Sequence, residues 1–449
     1  MRPCYTILVF SDQDQPASIC PWSSSRNYGI GAPQRDGGHG CDDDAIGHKY
    51  RSAPRLSNCG GSSWQACLSL ISNSHGGEQL NRALKITFVM PRTGEWAAGG
   101  LRIIYQYANY LSERGHIVTI VHPGRLVVDP TPLDSLKNAV RYILRKADGK
   151  YTPDTWMQMR PEVHLTCVPS LSERYIPDGD IVFATAWQTA EWVTNYSTSK
   201  GRGFYLIQHL ETWNGPEKRV MATWKAPLQK VVPSKWLADI AHNLGESVIY
   251  IPYGLDMDKF YLITPSEERD ANQLMMLYHE SEWKGCAEGL QALSMVRKTN
   301  PDIRAIFFGT PTRPETLPNW IEYHRSPSPM QLRELYNRAS IFVAPSRTEG
   351  WGLTGCEALL CGAALVATDI DGHREFAFDG QTALTSPARS PEQLAENVNR
   401  LLKDPKLRIE VAKKGHEFVR AFTWERATNS MERALYSEAD PLPELSAHG

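Results

Sequence analysis

Ser340-Ile-Phe-Val-Ala-Pro-Ser-Arg-Thr-Glu-Gly-Trp-Gly-Leu-Thr-Gly-Cys-Glu-Ala-Leu-Leu-Cys-Gly362 is the stretch on which the reading of this chain turns. An unbroken apolar run ends at Pro345, as in a strand buried on both faces. Loop residues follow, and a second apolar stretch from Leu353 to Cys361 has the length of a short helix, with Gly362 placed as its stop. Strand, glycine-bearing loop and helix in that order form the repeating unit of doubly wound α/β folds. Gly350 and Gly352 leave backbone N–H groups uncovered beside a helix start, where free amides and the helix dipole favour a diphosphate. Glu349 stands on the loop, and Glu357 lies inside the helix, which rises roughly 1.5 Å per residue. Two carboxylates so placed can flank a diphosphate and accept hydrogen bonds from sugar hydroxyls on either side of it. A bland alternative makes Glu349 the neighbour of a helix cap and Glu357 a solvated helix residue. The apolar surroundings of Glu357 speak against a solvated face.

The same alternation extends outward in both directions from Lys85 onward. In the first half, apolar runs fall at Ile86–Met90, Ile117–His122, Val163–Cys167, Ile181–Ala184, Phe204–Ile207, Val231–Val232 and Val248–Ile251. In the second they fall at Leu274–Leu277, Ile303–Phe308, Ile321–Tyr323, Ile341–Ala344, Leu365–Thr368 and Ala383–Thr385. Helical patterns between them include Leu101–Arg114, Ala287–Thr299, Met330–Ala339, Pro391–Leu402 and Pro405–Phe418. The expectation is an α/β protein of two Rossmann-like doubly wound parallel-sheet domains facing a cleft, residues 84–254 and 255–422. A helix at Trp424–Tyr436, within residues 423–437, is set apart and is expected to pack back on the first domain, with 438–449 as a flexible tail. Residues 1–83, rich in Ser, Gly, Asp, Asn and Pro and nearly aperiodic beyond Trp64–Ile71, read as a poorly structured extension.

Composition narrows the function classes. The 449 residues are 41% hydrophobic and 22% charged with a net charge of −2, so no global basic field points to nucleic acid. No apolar run approaches the roughly 18 residues that span a bilayer. The apolar start at Met1–Phe10 is too short for a secretion signal. Of nine cysteines, Cys4, Cys20, Cys41, Cys59 and Cys67 lie in the first 70 residues and Cys167, Cys286, Cys356 and Cys361 are scattered. Without close Cys-x-x-Cys or Cys/His spacing, they read as free thiols in a reducing compartment rather than a disulfide framework or zinc site.

Four further segments invite chemistry. Pro91-Arg-Thr-Gly-Glu-Trp-Ala-Ala-Gly-Gly100 links the first strand to the first helix, and Gly99 and Gly100 allow close approach of an anion to a helix start. It lacks the Gly-x-Gly-x-x-Gly of dinucleotide sites. Asp178-Gly-Asp180 spells a metal-binding Asp-x-Asp but immediately precedes a strand, as turn chemistry does; Asp369-Ile-Asp371 invites the same reading. Leu136–Lys150 is amphipathic with a basic face, which suits either a solvated helix or peripheral contact with an anionic membrane.

The segment Glu349–Glu357 resembles the Glu-x7-Glu signature of glycosyltransferase family 4, retaining enzymes of the GT-B fold. Ile251-Pro-Tyr-Gly-Leu-Asp-Met-Asp-Lys-Phe260 is similar to the family's linker motif, Lys284-Gly285 to its Lys-Gly motif, Leu365–Glu375 to the strand and loop after the signature helix, and Phe422-Thr-Trp424 to the start of its closing helix. The resemblance covers residues 84 to about 437. It implies that Glu357 binds the donor ribose and Glu349 the donor sugar. Gly350 and Gly352 would contact the sugar or phosphate through their amides, Thr354 the phosphate, and Lys284 would neutralise the departing diphosphate. Glu349, Lys284 and His209 are thus the catalytic candidates; Gly350, Gly352, Thr354, Glu357, Gly99, Gly100 and His324 are donor-binding candidates. Glu211 is an acceptor-side candidate, and Thr185–Gln188, after the preceding strand, is the alternative position for the site that the family's His occupies. The resemblance implies transfer of a hexosyl group from a nucleoside diphosphate sugar to a glycan, lipid-linked or small-molecule acceptor. No metal and no cofactor beyond the donor is expected, and the compartment is the cytoplasm or the inner face of its membrane. The family's usual Arg before the Lys is missing from Leu277-Tyr-His-Glu-Ser-Glu-Trp-Lys284, where His279 or another basic residue would have to substitute. The competing classes are a sugar-binding protein on a catalytically dead fold, a nicotinamide-dependent oxidoreductase on a Rossmann sheet, and a sugar-nucleotide hydrolase or epimerase.

Overall fold

The computed structural model describes residues 82–95, 98–126 and 132–437. The expected extension (but for residues 82 and 83) and the tail at 438–449 lie outside the described residues.

The first domain is built on a parallel sheet of β1 (Lys85–Val89), β2 (Ile117–Pro123), β3 (His164–Val168), β4 (Ile181–Ala184), β5 (Arg202–Leu206), β6 (Gln229–Val232) and β7 (Val248–Tyr250). Its helices are α1 (Gly99–Glu113), α2 (Pro132–Asp148), α3 (Trp187–Val193), α4 (Glu217–Trp224) and α5 (Lys235–Asn243). The sheet order is β3-β2-β1-β4-β5-β6-β7, so the order reverses beside β1, and Ile86 pairs with Ile181 on one side and Val118 on the other. Phe88, Phe183 and Phe204 line up across the central strands, with rings 4.7 and 5.1 Å apart, in the layer under α1. Continuous apolar strands are thus explained by helices on both faces.

The second domain carries β8 (Gln273–Leu277), β9 (Arg304–Gly309), β10 (Ile321–Arg325), β11 (Ile341–Ala344), β12 (Ala364–Thr368) and β13 (Leu384–Ser386), in the order β10-β9-β8-β11-β12-β13, again all parallel. Helices α6 (Cys286–Thr299), α7 (Pro329–Arg338), α8 (Leu353–Leu360), α9 (Pro391–Lys403) and α10 (Pro405–Val419) cover it, and α11 (Trp424–Tyr436) follows. The short helices α3, α4 and α5, of seven to nine residues, are not among the helices expected from the sequence. Strand β10 runs through Arg325 rather than ending at Tyr323, because an edge strand needs apolar residues on one face only.

The chain crosses between domains twice, and the crossings touch. The Leu255 N–H donates to the Phe422 carbonyl at 2.9 Å, and Gly254 packs directly on the Trp424 backbone and indole. The buried Asp256 carboxylate accepts from the Trp424 indole at 3.0 Å and from Gln106 of α1. Helix α11 lies on α1: the Trp424 ring sits 5.2 Å from Tyr107 and 5.3 Å from Tyr110. Glu432 receives Arg114 and, at 3.0 Å, His116. Arg202 donates to the terminal carbonyls of the same helix, a favourable place for a cation.

Candidate active site

The signature loop leaves β11 at the carboxyl edge of the second sheet and enters α8 at Gly352, whose φ is +104°. A Cβ at that position would sit 2.7 Å from the His373 ring, so both the backbone angle and the close imidazole require glycine. Glu349 accepts from Lys284 Nζ at 2.7 Å and from Ser346 Oγ at 2.8 Å, both at Oε1. Burial alone would raise its carboxyl; the Lys284 ammonium, with His373 and the two hydrogen bonds, outweighs burial and holds it below the ordinary value. It is therefore ionised at neutral pH. Lys284 is presented by a 3-10 turn, Glu282–Lys284, closed by Gly285 at φ +61°. A side chain on Gly285 would run into the Pro345 carbonyl, so the Lys turn is pressed against the end of β11. Arg347 N–H to Trp283 carbonyl, 2.7 Å, ties the two loops together.

Glu357 is 3% exposed, which excludes the solvated reading. Its Oε1 pairs with the guanidinium of Arg102, one turn into α1, and its Oε2 accepts from Tyr336 of α7 at 3.2 Å. Helices α1 and α8 begin close together: a Cβ on Gly99 would lie 3.8 Å from Leu353 Cδ1. Gly100 is fixed by Gln208, whose Nε2 donates to its carbonyl at 3.1 Å. Two helix starts, each rich in unpaired amides and positive in dipole, thus meet, with Glu349 on the loop before α8 and Glu357 inside that helix. Thr354 stands half-buried in the first turn of α8.

The first domain supplies the opposite wall. Gly350 abuts the Gln208 backbone, and its carbonyl accepts from the Trp236 indole at 3.2 Å. His209 lies 3.4 Å from the Thr348 hydroxyl, edge-on to Trp213 (4.1 Å) and Trp236 (5.5 Å). Burial pushes its imidazole down to about 4, Glu349 raising and Lys284 lowering it further, so the ring is neutral at pH 7. Its Nδ1 accepts the Leu210 N–H at 2.8 Å. Glu211 adopts φ +60°, uncommon for a non-glycine residue, and its Oε2 accepts the Trp187 N–H at 2.9 Å, where α3 begins. The loop of Thr185–Gln188 and that of Glu211 are therefore joined. Burial lifts the Glu211 carboxyl to about 7, against the Trp187 hydrogen bond.

The structure brings Glu349, Lys284, His209, Gly350, Gly352, Glu357, Gly99 and Gly100 together. His324 lies on the edge strand β10, its Nε2 held by Glu322 at 2.6 Å, and shares no contact with these residues among those described. Nor can His279 replace the missing Arg as a cation: burial, and then Lys284, lower its pKa, and its Nδ1 accepts the Ser281 N–H at 3.0 Å. Asp178 and Asp180 are turn residues at the amino end of β4. Asp178 takes Ser199 and Lys200, and Asp180 takes the Lys85 N–H at 2.8 Å. Arg102, Ser346, Tyr336, Trp236 and His373 escaped the sequence reading. Of these only Arg102 had a local signal, an Arg in the first turn after Gly99-Gly100.

Comparison with known proteins agrees with this geometry. Residues 264–418 match the family described as glycosyl transferases group 1. The D-inositol 3-phosphate glycosyltransferase of Paenarthrobacter aurescens is 24% identical over 402 residues, covering 79% of this chain and 96% of that protein. The uncharacterized glycosyltransferase MJ1178 of Methanocaldococcus jannaschii is 30% identical over 108 residues, 24% of this chain; the match spans only 30% of that relative's length. Among solved structures, Anabaena Alr3699/HepE in complex with UDP-glucose superposes with a TM-score of 0.60 at 15% identity, over 78% of this chain and 99% of that one. Together the two sheets have the GT-B architecture, and residues 264–418 form a glycosyl transferases group 1 domain, the domain of a transferase enzyme.

Proposed function

We propose that this chain is a retaining, metal-independent glycosyltransferase of family 4 that moves a hexosyl group from a nucleoside diphosphate sugar to a glycan, lipid-linked or small-molecule acceptor. The observation that carries the reading is the pairing of Lys284 with Glu349 at the mouth of a helix start that also holds Glu357. In this reading the diphosphate lies between the starts of α1 and α8, its ribose hydroxyls on Glu357 and the sugar on Glu349. The bond from the anomeric carbon to the phosphate oxygen breaks, and negative charge grows on the leaving phosphate. Lys284 and the amides near Gly350 and Gly352 stabilise that charge. The acceptor hydroxyl adds on the same face, and its proton passes to the departing phosphate. Arg102 supplies the second cation that His279 cannot, from the first domain rather than from the strand before Lys284. His209, neutral, is an uncharged hydrogen-bonding partner for the sugar, and Glu211 lies toward the acceptor. A cytoplasmic site, where donors are made, suits this chemistry.

The test is calorimetric titration with a panel of sugar nucleotides, paired with turnover in excess EDTA. Glu357→Ala should weaken donor binding more than Glu349→Ala, and Glu349→Ala should mainly abolish turnover. Equal and negligible effects of the two would refute the assignment. Donor binding without turnover would favour a non-catalytic binding protein, and binding of a nicotinamide cofactor would favour an oxidoreductase.

A further inference from the structure

We infer that α2 is a docking surface for an anionic lipid surface. A helix on a globular domain turns its apolar stripe inward; α2 does the opposite. Its half-buried side chains, Asp134, Asn138, Tyr142 and Arg145, recur at helical spacing and form the face held against the domain. There Gly124 packs on Tyr142 and its carbonyl takes Arg145. The opposite face carries Leu133 (68% exposed), Val140 (51%), Ile143 (63%) and Leu144 (60%). At 3.6 residues per turn these four fall within one arc pointing away from the protein. Exposed cations border the arc, with Lys137 and Arg141 on one side and Lys146 on the other. Four large aliphatic side chains in one outward stripe form a patch of the kind that marks an interaction site rather than scattered surface residues. Cationic borders around an aliphatic stripe match an interface with acyl chains at its centre and anionic headgroups around it. Among the described residues no helix is long and apolar enough to cross a membrane, so α2 would lie in the interface rather than span it.

Position adds a consequence. Helix α2 begins after β2, at the same carboxyl edge of the sheet from which the Gly99-Gly100 loop leaves the adjacent β1. A lipid surface on α2 therefore lies beside the site and would present an acceptor carried by that surface. The binding itself does not depend on the transfer chemistry.

The experiment is co-sedimentation of the full chain with phosphatidylcholine vesicles, with and without phosphatidylglycerol. Binding is expected only with the anionic lipid. It should weaken when salt is raised from about 0.1 M to about 1 M, which shortens the screening length from about 10 to about 3 Å. Ile143→Ser/Leu144→Ser, at exposed positions, should reduce binding about tenfold or more, and Lys137→Gln/Arg141→Gln about tenfold at low salt. No vesicle binding by the full chain, or binding by both variants equal to that of the unsubstituted chain, overturns the proposal. So does a dimer in sedimentation equilibrium that the Ser variant dissociates, which would make a second copy the occupant.

Discussion

Glu211→Gln isolates what burial does to one carboxyl in the candidate site. Its pKa is lifted from 4.5 to about 7. Below pH 4.5 the side chain is neutral in both the folded and unfolded chain. Between pH 4.5 and 7 the unfolded chain loses the proton while the folded chain keeps it, so the folded state binds more protons and stability falls as pH rises. Above 7 both forms are ionised and the loss is complete. The full displacement corresponds to about 3 kcal/mol. The side chain is only half-buried, so solvent screens part of this and about 1.5 kcal/mol is the working figure. Gln keeps an oxygen for the Trp187 N–H, 2.9 Å away, but has no charge to desolvate. Thermal unfolding of both proteins from about pH 4 to 8.5 should show no advantage for the variant at the acid end. A gap should open between pH 4.5 and 7 and reach about 3–6 °C above it. A gap constant across the range, or one that narrows as pH rises, would refute the argument that burial controls this group.

Arg102→Met removes the cation facing Glu357 and leaves a carboxylate that is 3% exposed with only Tyr336; a loss of about 3 kcal/mol is expected by denaturant titration, much of it recovered in Arg102→Met/Glu357→Gln. Gly285→Ala meets both a left-handed φ of +61° and the Pro345 carbonyl. It should cost about 1–2 kcal/mol from the backbone angle alone and, by displacing the Lys284 turn, lower kcat more than it raises donor KM. A His209 pKa of about 4 means that the imidazole makes no titration step between pH 5 and 8; an NMR titration of its ring protons showing a midpoint near 6.5 would contradict the burial argument.

The parts of the fold legible beforehand were those carried by local pattern. Unbroken apolar strands such as Phe342–Ala344 and the glycine punctuation at Gly350, Gly352 and Gly362 announce strand, loop and helix from adjacent residues. The Lys284–Glu349 contact joins two motifs that were each visible, although the distance between them was not. What stayed hidden depends on residues far apart in the chain. Arg102 meets Glu357 across 255 positions and Trp236 meets Gly350 across 114; the place of Arg102 just after Gly99-Gly100 marks a helix start but not its partner, and nothing near Trp236 distinguishes it from an ordinary core Trp. The short helices α3–α5 escaped for a different reason: seven to nine residues hold only about two turns, and no motif marks them as Glu349–Glu357 marks the equally short α8. The contact of His324 with Glu322, two residues away on the same strand, was likewise not announced by the pattern of β10.

The twin crossings at Leu255 and Phe422 constrain mechanics as well as connectivity. One strand of chain between two bodies is a swivel, free to bend and twist in any direction. Two strands bonded side by side define a line, and rotation about that line is the one easy motion left. The Asp256 carboxylate, holding both Gln106 and Trp424, pins that line to the first domain. Opening and closing would then follow a single arc, so that each closure returns Glu357 to Arg102 and Gly350 to Trp236 in the same register.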